Sequence, residues 1–77
     1  MKVQVFAALK DYFDKEFELK EDVDNVTELR QYLTELNTSA GNMLKTCRFA
    51  IDDEFVDQNY QLKENDTISV IPPSSGG

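Results

Sequence analysis

Only one stretch of the chain repeats its apolar residues at helical spacing. Val26, Leu29, Leu33 and Leu36, with Tyr32 alongside, recur at steps of three and four and form one stripe. Asn25, with Glu28 three residues later, has the composition of an N-terminal capping box, and the polar Asn37-Thr38-Ser39 run ends the helix. Gly41-Asn42 supplies a second breaker. A chain of 77 residues makes one small domain. That length rules out a two-domain enzyme, and one amphipathic helix available to cover one sheet face makes an α+β layer arrangement.

The remaining periodic segments alternate as strands do. Residues 1–9 (MKVQVFAAL) are apolar on both parities and β-branched, which predicts a central strand. Residues 10–15 are short and mixed, and predict one helical turn carrying Tyr12 and Phe13 inward. Residues 16–20 alternate strictly, with Phe17 and Leu19 on one side, as in a half-buried strand. Residues 47–51 place Cys47, Phe49 and Ile51 opposite Arg48 and Ala50. Asp52-Asp53 is a tight-turn candidate, and Glu54-Phe55-Val56 returns antiparallel. Tyr60 and Leu62 anchor a connecting loop, and residues 63–66 have turn composition. Residues 67–71 (TISVI) form the last strand, which Pro72 and Pro73 stop because neither has an N–H for a sheet. The expected fold is α+β: a β-grasp, ubiquitin-like mixed sheet with one main helix on one face, and the first and last strands side by side at its centre. A ferredoxin-like fold would need a second full helix, for which residues 40–46 are too short. The domain is expected over residues 1–71, with an extended tail over 72–77.

Composition narrows the chemistry. Eight Lys and Arg against fifteen Asp and Glu leave a net charge of −7, which disfavours nucleic acid and, at long range, favours a basic partner groove. Five Phe and three Tyr supply core material that an acidic disordered segment lacks. No histidine is present, so the commonest general base and metal ligand is missing and nucleophilic triads are excluded. The single cysteine, Cys47, cannot form an internal disulfide, and its apolar parity predicts a buried, inert thiol. Asp52-Asp53-Glu54 are adjacent acids at a hairpin tip without convergent spacing, so no metal is expected. No run approaches a membrane span and no signal peptide is visible, which together suggest the cytoplasm.

Two features remain. Only three glycines occur, and two of them, Gly76 and Gly77, end the sequence, a chance event about once in 200 at ordinary glycine usage. Pro72-Pro73-Ser74-Ser75-Gly76-Gly77 cannot bury apolar surface and is expected to project by about 18 Å, its glycine tip slender enough for a narrow channel; the alternative is an ordinary frayed terminus. A C-terminal carboxylate, with a pKa of about 3.3–3.7, is an anion that resists nucleophilic attack and must first be activated. The chain has no phosphate-binding glycine loop, so activation belongs to a partner. The second feature is strand parity. If Val3, Val5, Ile68 and Val70 face the helix, Phe6 and Ile71 point to the open face, where Phe55 could join them. Such a cluster reads as a protein interface unless residues 40–46 or a loop cover it.

The opening KVQVFAALKD, the AIDDEFVD and LKENDTISVIPP segments and the closing Pro-Pro-Ser-Ser-Gly-Gly together resemble the MoaD family of ubiquitin-like sulfur carriers, the small subunits of molybdopterin synthase. The resemblance spans the whole chain. It implies that Gly77 is adenylated by an E1-like adenylyltransferase, which consumes the ATP, and is then converted to a thiocarboxylate with sulfur from a donor protein. It also implies delivery of that sulfur inside the synthase large subunit, in a heterotetramer, to build the dithiolene of molybdopterin. On this reading the chain binds no cofactor and is a sulfur-donor subunit whose catalytic residues lie on the large subunit. Phe6, Phe55 and Ile71 match positions where the family places apolar residues against partners, and Pro72, Pro73, Ser74 and Ser75 lead Gly76 and Gly77 into the partner's site. The family usually has Asn or Gly where this chain has Asp52 and Asp53, which bears on turn geometry. Competing readings are a modifier conjugated to target lysines, a carrier for another pathway such as thiamin, or a plain interaction module.

Overall fold

The computed structural model describes residues 1–73. Five strands form one mixed sheet: β1 (Lys2–Val5), β2 (Glu16–Glu18), β3 (Arg48–Ile51), β4 (Glu54–Val56) and β5 (Thr67–Ile71), in the spatial order β2-β1-β5-β3-β4. β1 and β5 run parallel, with Val3 opposite Ile68 and Val5 opposite Val70, and every other pairing is antiparallel. This is the expected β-grasp arrangement.

The helix α1 (Val26–Leu36) crosses one face of the sheet. Its first turn is capped as the sequence predicts: Asn25 Oδ1 accepts from the Glu28 N–H at 2.9 Å. Glu28 Oε1 reaches back to the N–H of Asp24 at 3.0 Å, one residue further than in the usual capping box. Val26, Leu29 and Leu33 are buried against Val3, Val5, Phe49, Ile68 and Val70. Each such side chain contributes about 1.5–3 kcal/mol on leaving water. Leu36, expected in the same stripe, is instead 53% exposed, because the stripe overshoots the core by one turn before Asn37 ends the helix.

Two other expectations shift. The first strand stops at Val5 rather than running through residue 9, because Ala7 takes a positive φ of 54° and turns the chain into a 3-10 helix over Ala7–Asp11. That turn begins three residues earlier than expected and buries Leu9, and Tyr12 and Phe13 follow it, half-buried against the core. Gly41-Asn42 does not break the chain. After a 3-10 turn at Thr38–Ala40 it opens the short α2 (Gly41–Leu44); Ala40 from the turn and Leu44 from α2 reach the core beside α1. Gly41 suits this packing because a Cβ there would stand 3.3 Å from Thr34 Cγ2.

The β3–β4 hairpin turns on Asp52 and Asp53, with φ of 51° and 67°, between the paired Ile51 and Glu54. Two consecutive positive φ values define the tight turn whose favoured occupants are Asn-Gly. Asp tolerates the left-handed region better than most residues, yet carries a strain that glycine avoids. Asp53→Gly is expected to stabilise the domain by about 0.5–1 kcal/mol, seen as a rise in thermal midpoint of a few degrees. Asn25→Ala is expected to cost about 1 kcal/mol in the same measurement.

Candidate protein interface

Strand register decides what the uncovered sheet face carries. Gln4, Ser69, Ala50 and Phe55 lie side by side across β1, β5, β3 and β4, and their parity is opposite to that of the core residues Val3, Val5, Ile68 and Val70. One row further along β5, Ile71 pairs with Arg48. Phe6 follows Val5 on the same parity as Gln4, and its N–H donates to the Val70 carbonyl at 3.2 Å. Phe6 and Phe55 are 44% and 54% exposed, and Ile71 is half-buried. The 3-10 turn and α2 that fill residues 38–44 pack with α1 on the other side, so they leave this face open. Phe6, Phe55 and Ile71 therefore share one face, as strand parity predicts.

The last strand leads straight out of that face. Pro72 is half-buried and Pro73 exposed immediately beyond Ile71, so the root of the tail adjoins the apolar residues. Ser74, Ser75, Gly76 and Gly77, on which the expectation of a projecting reactive terminus rests, lie outside the described residues.

Charge gathers around the same face. The Arg48 guanidinium carbon stands 3.8 Å from the centre of the Phe55 ring, a cation–π contact worth about 0.5–1 kcal/mol at an exposed site. A depression of about 290 Å³ beside Phe6 is lined also by Gln4, Val5, Lys10, Lys15 and Glu16. Glu16 is already engaged: the Gln4 amide donates to it at 3.1 Å and Lys2 Nζ lies at 3.2 Å. The Gln4 hydrogen bond, followed by Lys2, holds its carboxyl below the usual range. Arg48, Lys10 and Lys15 escaped the sequence reading. Arg48 was within reach of it, since the alternation over residues 47–51 already sets Arg48 opposite Phe49.

Cys47 is buried, and its thiol donates to the Met43 carbonyl at 3.2 Å. Burial pushes the thiol pKa up, against a smaller opposing pull from Arg30. The Arg30 side chain donates to the Cys47 carbonyl at 3.1 Å and lies over the Phe49 ring, so it clasps β3 to α1. Among the described residues no three Cys, Asp or Glu side chains converge as a metal site requires, and no helix is long and apolar enough to cross a membrane.

The family model described as the ThiS family matches residues 3–77. The chain belongs to the ThiS family. Among solved structures it is similar to the complex of subunits 1 and 2 of molybdopterin-converting factor from Helicobacter pylori 26695, at 31% identity over 99% of this chain and 96% of that one, with a TM-score of 0.72. The small archaeal modifier protein 1 of Haloferax volcanii is similar at 17% identity, 99% and 97% coverage and a TM-score of 0.76. A putative molybdopterin converting factor subunit 1 from Pyrococcus furiosus follows at 23% identity, 94% coverage of each chain and a TM-score of 0.72. The last two likenesses show the shared fold alone. This ThiS-family member thus has the ubiquitin-like β-grasp common to sulfur carriers and small protein modifiers.

Burial separates the exposed face from the core in a measurable way. Phe49→Ala, at a side chain only 1% exposed, is expected to cost about 3–5 kcal/mol in chemical denaturation. Phe55→Ala is expected to cost under about 1 kcal/mol, since that ring has little to lose beyond its contact with Arg48. Cys47 is expected to resist alkylation in the native protein and to react once denaturant exposes it. Because folding raises the pKa of this thiol, its contribution to stability is complete below the ordinary thiol pKa of about 8.5 and is lost as pH rises beyond it.

Proposed function

We propose that this ThiS-family protein is the sulfur-carrying subunit of a molybdopterin synthase, with the C-terminal carboxyl of Gly77 as its reactive group. The observation that carries the reading is continuity: β5 ends at Ile71 beside an apolar sheet face with Phe6 and Phe55 exposed, and in the sequence Pro72-Pro73 and the Gly-Gly ending follow directly. A partner that grips this face would receive the tail in a defined direction. The likeness to subunit 1 in the Helicobacter pylori complex supports a large subunit as that partner.

The chemistry follows from the carboxylate. Attack by the Gly77 carboxylate oxygen on the α-phosphorus of ATP, in an E1-like adenylyltransferase, releases pyrophosphate and gives an acyl-adenylate. A sulfide equivalent from a sulfur-donor protein then attacks the acyl carbon; the C–S bond forms, the C–O bond to AMP breaks, and a thiocarboxylate remains. In the large subunit the thiocarboxylate sulfur displaces an oxygen substituent from a carbon of a pyranopterin precursor: the new C–S bond forms, the C–O bond breaks, and the oxygen departs protonated. Water then cleaves the acyl C–S bond, which leaves sulfur on the precursor and restores the Gly77 carboxylate. This chain contributes the acyl group and its delivery, and the acid–base groups come from its partners.

Incubation with ATP, an adenylating partner and a sulfur source is expected to raise the intact mass by the difference between one sulfur and one oxygen. An unchanged mass with active partners would overturn the proposal. Addition of one residue beyond Gly77 is expected to abolish sulfur transfer while leaving the thermal midpoint unchanged. The competing reading is a modifier conjugated to lysines, whose signature would be Gly-Gly remnants in isopeptide linkage on other proteins; the fold shared with an archaeal modifier protein is what keeps it in view.

A further inference from the structure

The partner's surface can be specified further, on the reading that the open face is where the partner of this carrier docks. The chain as a whole is acidic, at −7, which by itself favours a basic groove. The open face departs from that average. At the end where the tail leaves, Arg48 stands over Phe55 and pairs across the sheet with Ile71, while Lys10 and Lys15 line the depression beside Phe6. All three cations are exposed, and none takes part in an ion pair among the described residues. They represent three of the eight cationic side chains of the whole sequence.

The acids nearby form no ion pair with them. Glu16, in the depression, is held by Lys2 and Gln4. Asp57, one residue beyond β4, accepts from the Asn59 N–H at 2.8 Å. Asp11 and Asp14 share the connecting segment with the two lysines but form no ion pair with them. Asp52 and Asp53 sit on the β3–β4 turn, at the opposite end of β3 from Arg48.

We propose that the open face docks onto a protein surface on which an apolar patch is flanked by carboxylates, one of them entering the depression between Lys10 and Lys15. Apolar area supplies the attraction through Phe6, Phe55 and Ile71, and the cations set register and encounter rate. The occupant is a protein rather than a membrane or a nucleic acid. An extended polyanion would meet the full −7 of the chain, whereas discrete carboxylates on a docking surface meet only the local cations.

Stopped-flow association of the full-length chain with its cognate molybdopterin synthase large subunit, at low ionic strength, tests this. Lys10→Glu, Lys15→Glu and Arg48→Glu together are expected to slow association at least about tenfold. Lys20→Glu, Lys45→Glu and Lys63→Glu together, which change net charge equally but lie off this face, are expected to stay within about twofold of the unaltered chain. Lys10→Gln with Lys15→Gln should fall between, and circular dichroism checks that each variant keeps its fold. Faster association of the first triple variant would mean a basic docking surface, and equal slowing by both triples would mean that net charge alone steers the encounter; either result overturns the proposal. So would self-association of the unaltered chain through this face, or its binding to phosphatidylserine vesicles with rates to the large subunit unaffected by the reversals. If the unaltered chain does not bind the large subunit at all, the carrier reading itself falls.

Discussion

The parallel pairing of β1 with β5 is the constraint on which the rest of this molecule depends. Val3 against Ile68 and Val5 against Val70 bring together residues more than sixty positions apart, and all four side chains are essentially inaccessible to solvent. Parallel neighbours cannot be joined by a short turn. The intervening chain must therefore contain the helix that covers their inner face and the hairpin that extends the sheet. Once β5 is fixed there, the outward-facing positions of both strands are set by parity, and so is the point at which the chain leaves the sheet.

That dependence explains why so much was legible in the residues. Alternation in residues 67–71, the helical stripe from Val26 to Leu33 and the Asn25–Glu28 cap are local signals backed by tertiary packing, and each appears in the fold as read. The face of Phe6, Phe55 and Ile71 could be deduced because a period of two leaves no choice once the inner residues are assigned. What escaped lay where backbone conformation overrides pattern. Nothing in MKVQVFAAL announces that Ala7 turns left-handed, since alanine has no preference for that region, and Leu9 is buried from a 3-10 turn as readily as from a strand. Leu36 keeps the right angular position on α1 but lies beyond the end of the sheet's cover, a fact of length that periodicity does not encode.

Charge was the least legible property. A net value averages over the surface, whereas recognition responds to what lies within roughly a Debye length of contact, about 8 Å at physiological ionic strength. The strands sort polar residues as strictly as apolar ones, so Arg48 is delivered to the same side as Phe55 by the same alternation that buries Phe49. An acidic protein can in this way set cations beside an apolar patch without any run of basic residues in its sequence.

The parallel pair also fixes where the two ends of the chain can be handled. Met1 begins at the far end of β1, its ammonium group tied to Glu18 at 3.0 Å, while Pro72 departs from the opposite end of the neighbouring strand. The length of a strand therefore separates the two points of exit. A fluorophore, affinity handle or fused domain attached ahead of Met1 would trade away one surface ion pair and hang beneath the sheet, pointing away from the end at which the glycine tail leaves. Single-molecule or pull-down formats built on that end leave the region of Pro72 and Pro73 unobstructed.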